Sequence, residues 1–331
     1  MSKRYLIIKI AAIGDVIMAL PMIEKIREID CDAEITWICG KTVKPILEYF
    51  PIDHILSINE KKLLAGSKIE KIKTVFEVWR KIAGKKYNVV ALGHAARQYQ
   101  ILTLLTRKDF FYSFSHIMGE VCPIPGRHHS DEYVHLINRD NKEPVQVATF
   151  PKIILPPNIK ERLQTEKKIV LLAPGGAKNL LADDFLRRWP IDYYVKLAAI
   201  LKSHGYDVII AGAKSDLWVK EYFTGIDVIN LIGKTNLIEM IGVFQNINYV
   251  ITHDSGPLHL AGLTNVRLIG IFGPTNPLEK MPVRQDSFFV WINNKLACCP
   301  CYDGKYYANC KDNICMKMIT PDDIYNIIAD W

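Results

Sequence analysis

Along the chain, short apolar runs alternate with stretches in which apolar residues return at helical spacing, and the alternation occurs in two successive series. In the first series "RYLIIKI", "AEITWIC", "HILSIN", "YNVVALG" and "DFFYSFS" read as strands, with helices over 16–29, 68–83 and 97–105. Pro21 is expected to kink the first of these helices. In the second series "KKIVLLAP", "YDVIIAG", "VINLIG", "YVITHD" and "VRLIGIFG" read as strands, with helices over 191–203, 215–223, 236–245 and 256–263. Strands that alternate with helices predict parallel sheets covered by crossover helices, so the expected class is α/β with two doubly wound, Rossmann-like domains. Between the series lies "FPKIILPPNIKERLQTEKK", where Pro151, Pro156 and Pro157 interrupt regular structure and charge rises. It reads as an interdomain linker, with domains over 1–160 and 161–331. Open parallel sheets bind ligands beyond the carboxyl ends of their strands, so a ligand is expected where the two such edges face each other.

Composition adds limits. A chain of 331 residues with 49% hydrophobic content can bury two cores. No apolar run reaches the ~18–20 residues of a membrane span. The start, "MSKRYLIIKIAAIGDV", meets Gly14 and Asp15 too early for a signal-peptide core, which predicts a cytoplasmic protein. The net charge of +7 is unevenly placed: Lys61, Lys62, Lys68, Lys71, Lys73, Arg80, Lys81, Lys85 and Lys86 face only Glu70 and Glu77 within residues 61–86. This segment is either a solvated helix face or a contact for an anionic partner, including peripheral contact with the inner face of a membrane. Aromatic residues are too sparse there for base stacking, so no nucleic-acid partner is expected.

Candidate chemistry sits in turns that follow strands. "KIAAIGDVIMALP" ends a buried strand in a turn that presents Asp15 beside Gly14. A carboxylate there is a helix cap or a general base. "LLAPGGAK" places Gly175 and Gly176 after a strand, with Arg187 and Arg188 following in "DFLRRWP". Glycines let backbone amides approach an anion and a guanidinium pairs with phosphate, although a plain turn has the same pattern. Asp216 in "IIAGAKSD" is a helix cap or a hydrogen-bond partner for a ribose hydroxyl. The most informative stretch is "VITHDSGPLHLAGL": a strand ends at Asp254, Ser255 and Gly256 form the turn, and a helix starts near Pro257 with its amides aimed at an anion such as a pyrophosphate. His259 falls on the first helical turn, as a ligand contact or a buried structural histidine. "LIGIFGPTNP" supplies a further polar turn with Thr275. In the first domain "ALGHAARQYQ" sets His94 and Arg97 beyond a strand, and "PGRHHSDEYVH" adds Arg127, His128 and His129 in a loop.

The ordered set "LIIKIAAIGDVIMALP", "PGG…RRWP", "DSGPLHLAG" and "FGPTNP" resembles glycosyltransferase family 9, the ADP-heptose:lipopolysaccharide heptosyltransferases, over nearly the whole chain. The resemblance implies the two-domain GT-B fold and an inverting transfer from a nucleotide sugar bound by the second domain to an acceptor bound mainly by the first. It implies Asp15 as the general base, Arg187, Ser255 and Gly256 around the leaving diphosphate, Asp254 at the sugar, Asp216 at the ribose, and a basic acceptor contact near His94 and Arg97. Family members commonly carry lysine where Arg187 stands, which keeps the charge and changes the geometry. The implied donor is ADP-heptose, and the implied acceptor is an anionic glycolipid or glycan such as lipopolysaccharide core. Transfer to protein serine or threonine, nucleotide-sugar epimerisation, and a non-catalytic nucleotide-sugar-binding protein stand as alternatives.

"ACCPCYDGKYYANCKDNICM" holds Cys298, Cys299, Cys301, Cys310 and Cys315, while Cys31, Cys39 and Cys122 are scattered. The spacing suggests a thiolate site for structural zinc or iron at Cys298, Cys301, Cys310 and Cys315, with Cys299 competing with Cys298; reduced thiols and, in a reducing compartment less so, a disulfide are the alternatives. Some relatives that glycosylate bacterial surface proteins hold iron in a similar tail. No cofactor is expected for catalysis.

Overall fold

A computed structural model describes residues 2–95, 97–114, 124–139, 149–178, 183–292, 295–303 and 306–331. Its contacts divide the chain into two compact units, the division falling between residues 148 and 149. The Pro-rich stretch expected to link the domains is therefore packed with the second unit. Phe150, Ile153, Leu155 and Ile159 are buried, Phe150 N donates to Leu263 O (2.7 Å) and Ile153 N to Gln245 Oε1 (2.8 Å). Pro157 opens a short helix, Pro157–Lys160, and the prolines do not stop the intervening apolar side chains from docking.

The first unit is built on a parallel sheet of β1 (Arg4–Ile8), β2 (Glu34–Gly40), β3 (His54–Ile58), β4 (Lys86–Leu92) and β5 (Arg107–Ser113), in the order β3-β2-β1-β4-β5. The five expected strands all form. β1 is central, with Ile7 paired to Trp37 on one side and Ala91 on the other. Leu6, Ile7 and Ile8 are fully buried, as a central strand covered on both faces requires. Each such side chain contributes roughly 1.5–3 kcal/mol on burial. The first helix is split rather than bent: one helix spans Ile13–Ala19 and a second starts at Pro21, whose missing N–H is harmless at a first helical position. The helix Lys68–Ile82 carries a capping box in which Ser67 and Glu70 satisfy each other's backbone amides.

The second unit holds β6 (Ile169–Ala173), β7 (Asp207–Ile210), β8 (Ile229–Asn230), β9 (Tyr249–His253), β10 (Arg267–Ile271) and β11 (Ser287–Val290), parallel throughout, in the order β11-β10-β9-β6-β7-β8. β11 escapes the sequence reading because it is an edge strand of four half-exposed residues with no buried run. The segments 97–103 and 214–223 are 3-10 rather than α-helical. Apolar periodicity identifies the packed face of a short helix but does not distinguish an i→i+3 from an i→i+4 ladder. The helix Pro321–Ala329 packs on Ile191–Ser203, and Trp189 Nε1 donates to Ile319 O (2.8 Å), tying the chain end to this core.

Candidate functional site

Strand order picks out two loops in each sheet. In the first unit the direction of winding reverses between β1 and β4, and in the second between β6 and β9. Loops on either side of such a reversal leave in opposite directions and open a crevice at the strands' carboxyl ends. The loop after β1 carries Gly14 and Asp15 and that after β4 carries His94; the loop after β6 carries Gly175 and Gly176, and that after β9 carries Asp254, Ser255 and Gly256. Sequence reading and topology thus select the same turns.

In the first unit, Asp15 lies in the opening turn of the helix Ile13–Ala19, where Gly14 is buried. Asp15 Oδ2 accepts from Ala12 N (3.3 Å) and from Lys9 Nζ (3.2 Å). The carboxylate thus caps the helix start and is held by a cation. Lys9 is only 4% exposed, with its backbone carbonyl bonded to Trp37 Nε1 (3.1 Å) and its ammonium 5.3 Å from the Tyr133 ring centroid. Burial, with the Asp15 charge adding, raises the Tyr133 phenol well above its ordinary value, so it stays neutral. His94 serves the fold: its Nε2 accepts the Ile10 amide (3.0 Å) and its ring stacks on Tyr99 at 4.1 Å. Burial first, then Lys9, keeps this imidazole well below its ordinary pKa and hence neutral. His94 thus supports the turn after β1. The side chain of Arg97 lies outside the described residues. Arg127 pairs with buried Glu132 (2.6 Å) and His128 caps the helix His129–His135, so that loop is used internally.

In the second unit the turn after β6 is strained. Gly176 has φ +82° and Ala177, which has a side chain, φ +52°. A Cβ on Gly175 would stand 2.4 Å from Asp216 Cγ. That closeness is what Asp216 requires, since its Oδ1 accepts Gly176 N (3.1 Å) and its Oδ2 accepts Ala213 N (2.8 Å). The cap alternative is thus the observed geometry, and the carboxylate pins two loops together. Ser255 is likewise turned inward, its hydroxyl donating to His253 O (3.1 Å). Gly256 opens the helix Gly256–Gly262.

The charged centre of this unit is Arg187. Its Nη2 lies 2.7 Å from Asp184 Oδ2 and its Nη1 3.4 Å from Asp254 Oδ2, while its Nε is buried without a hydrogen-bond partner among the described residues. Burial opposes the guanidinium charge, but Asp254, Tyr307 and Asp184 outweigh it and raise the pKa. Asp254 is 2% exposed, with Lys280 Nζ at 3.9 Å and His259 Nε2 at 3.8 Å. Burial alone would raise its pKa; Lys280, His259 and Arg187 instead hold it well below the carboxylate range. Among the described residues, His253 Nε2 and Thr275 Oγ1 are likewise buried polar atoms without a partner. A buried unsatisfied donor costs about 1–3 kcal/mol, so the Arg187 Nε marks a place for an acceptor on a ligand. His259, the alternative structural histidine, is buried against the carboxylate of Asp254 rather than against backbone alone. Sequence pattern does not single out Lys9, Asp184 or Lys280. Of the three, Lys280 carries a signal, standing just past "FGPTNP".

The Cys-rich tail folds over the turn at Gly273. Cys299 Sγ donates to Gly273 O (2.8 Å), Cys301 N to Pro274 O (3.0 Å), and a Cβ on Gly273 would meet Cys315 Sγ at 2.8 Å. Cys299 thus points inward and Cys298 is exposed. Burial first and then Cys299, Cys301 and Cys310 push the Cys315 thiol up to about 12. Among the described residues no group of three or more His, Cys, Asp or Glu side chains is placed to hold a metal ion, so as arranged Cys298, Cys301, Cys310 and Cys315 do not form a site for zinc or iron. Cys122 lies outside the described residues.

Comparison with known proteins agrees with the topology. The chain is 25% identical over 308 residues to the lipopolysaccharide core heptosyltransferase OpsX of Haemophilus influenzae, covering 85% of this chain and 82% of that one. It is 26% identical over 324 residues to lipooligosaccharide heptosyltransferase 2 of Campylobacter jejuni, covering 94% and 93%. The crystal structure of a family 9 glycosyltransferase from Veillonella parvula has the same fold, with a TM-score of 0.77 at 20% identity over 98% of this chain and 95% of that one. Residues 133–308 match the family model described as glycosyltransferase family 9 (heptosyltransferase). The expected GT-B fold and transferase class hold, and the chain belongs to glycosyltransferase family 9.

Proposed function

We propose that the protein is an inverting heptosyltransferase that moves heptose from ADP-heptose to a hydroxyl of a lipopolysaccharide-core acceptor. The observation that carries the donor half is the buried Nε of Arg187, without a partner among the described residues, next in the chain to Arg188, whose Nε donates to Gly176 O (3.0 Å) in the strained turn. Arg187 and Lys280 meet the negative charge of the departing diphosphate, with Asp184 and Asp254 fixing their side chains, and the Gly175–Gly176 turn, Ser255, Gly256 and Thr275 give the donor close approach to backbone and hydroxyl groups. In this reading Asp254 and His259 contact the sugar. Asp216 acts through the turn that it pins. In the first unit Asp15 takes the proton of the acceptor hydroxyl as that oxygen attacks the anomeric carbon and the bond to the diphosphate breaks; Gly14 keeps the approach open and His94 holds the turn. An acceptor contact by Arg97 belongs to this reading. The names of the relatives support heptose and a lipopolysaccharide or lipooligosaccharide acceptor. Among the described residues no helix is long and apolar enough to cross a membrane. A cytoplasmic location belongs to the same reading.

The test is calorimetric titration with ADP-, GDP-, UDP- and CMP-sugars, followed by NMR of the transfer product. Selective binding of ADP-heptose, weakened by Arg187→Ala, and an inverted anomeric centre are expected. Preference for another nucleotide sugar overturns the donor, and transfer to a protein hydroxyl overturns the acceptor.

A further inference from the structure

The helix Lys68–Ile82 has two apolar stripes. One, made by Thr74, Val78 and Ile82, is buried against the sheet of the first unit. The second, at Ile69, Ile72, Phe76 and Trp79, has the same helical spacing and faces outward: Ile69 is 65% exposed, Ile72 64% and Phe76 59%. A surface helix ordinarily has one apolar stripe, and large apolar residues left open side by side mark a contact surface. Beside the stripe, Leu63, Val75, Trp79, Tyr99 and Ile101 line a groove of about 370 Å³, which Trp79 closes by donating from Nε1 to Ile101 O (2.8 Å). Leu104, 63% exposed, follows the 3-10 helix Arg97–Thr103 that forms the far wall.

Charge decides what covers this face. Residues 61–86 hold nine basic and two acidic side chains, an excess of seven, which equals the net charge of the entire chain. The rest of the protein is therefore neutral in sum. On the helix, Lys68, Lys71, Lys73 and Arg80 border the open stripe, the arrangement in which aliphatic stems lie along apolar surface and the charges reach outward. A second copy of the chain is disfavoured, because a two-fold contact would set this cationic patch against itself. A surface that is both anionic and able to receive apolar side chains is a bilayer containing acidic lipids.

We propose that this face docks on an anionic membrane, with Ile69, Ile72 and Phe76 entering the headgroup boundary while the surrounding lysines and Arg80 engage lipid phosphates. The proposal does not depend on which sugar or acceptor the enzyme uses. Its test is sedimentation of the full-length protein with phosphatidylcholine vesicles, with and without about 30% phosphatidylglycerol. Binding is expected only to the acidic vesicles, and it should fall steeply at about 0.5 M salt. Ile72→Ser with Phe76→Ser should weaken it by about tenfold or more. Lys71→Gln with Lys73→Gln should weaken it by about fivefold per lysine, and this pair remains informative if the apolar pair misfolds. Donor titration should be unchanged in both variants, which separates loss of docking from loss of the nucleotide site. Failure of the wild type to bind acidic vesicles, binding indifferent to both pairs, or a dimer in sedimentation velocity that Phe76→Ser dissolves would each overturn the proposal. So would equal affinity for a monomeric short-chain phosphatidylglycerol, which would make the groove a single-lipid site.

Discussion

Lys9 Nζ lies 3.2 Å from Asp15 Oδ2, and the lysine is buried while the carboxylate side chain is 38% exposed. The pair joins the end of β1 to the first helical turn, so the strand that centres the sheet also fixes the orientation of the proposed base. Asp15→Asn removes the proton acceptor and keeps the shape; turnover should fall by about 10²–10⁴-fold with donor affinity unchanged. Lys9→Met leaves the base but frees its orientation. We expect lower kcat with little change in donor KM. Steady-state kinetics measures both outcomes.

Arg187 should behave differently from Asp15. Arg187→Ala leaves Asp254 buried with one fewer cation, so both donor affinity and thermal stability should drop; a buried ion pair broken on one side costs about 3–5 kcal/mol. Arg187→Lys restores charge without the forked geometry and should recover stability more than donor affinity. Calorimetry beside thermal unfolding reads both.

Gly175→Ala should be among the most damaging single-methyl changes in the chain, because its Cβ would overlap Asp216 Cγ at 2.4 Å. Donor binding and melting temperature should both fall. Gly205→Ala is the control: it too has a positive φ, +83°, but nothing lies within 4 Å of the added carbon. Its cost should be limited to backbone strain, about 1 kcal/mol.

Stability should depend on pH through His253 and His94. Burial first, then the Arg187 charge, lowers His253 to about 3, and its Nδ1 is 3.1 Å from the Tyr194 hydroxyl. In the unfolded chain both imidazoles gain protons below about pH 6.5, whereas in the fold they stay neutral. The unfolded state then binds more protons, so stability is full above about pH 6.5 and falls as pH decreases, by up to about 1.4 kcal/mol per unit for each histidine. Denaturant titrations between about pH 7.5 and 4.5 should show this slope, and His94→Gln should reduce it.

Thiol reactivity reports the packing of the tail. Cys31 and Cys298 are exposed, whereas burial raises the Cys299 and Cys315 thiols. A thiol reagent should label the first two rapidly and the second two only on unfolding. Rapid labelling of Cys298 lost on adding zinc would show that the tail rearranges into a metal site.

What the sequence by itself determined is the alternation of buried runs and helical stripes, and with it two parallel sheets, because a strand covered on both faces has to be apolar throughout. It also carried the turns after β1, β6 and β9, since glycine and small polar residues after an apolar run have few structural uses. Tertiary structure decided the partners. That Lys280 closes on Asp254 and that Asp216 pins Gly176 are contacts between residues far apart in the chain, set by sheet order and loop direction, which local pattern does not encode. The same limit explains why Cys299 and not Cys298 turns to Gly273, and why the Pro-rich stretch joins the second unit: composition records what a segment cannot form, and packing decides where its side chains go.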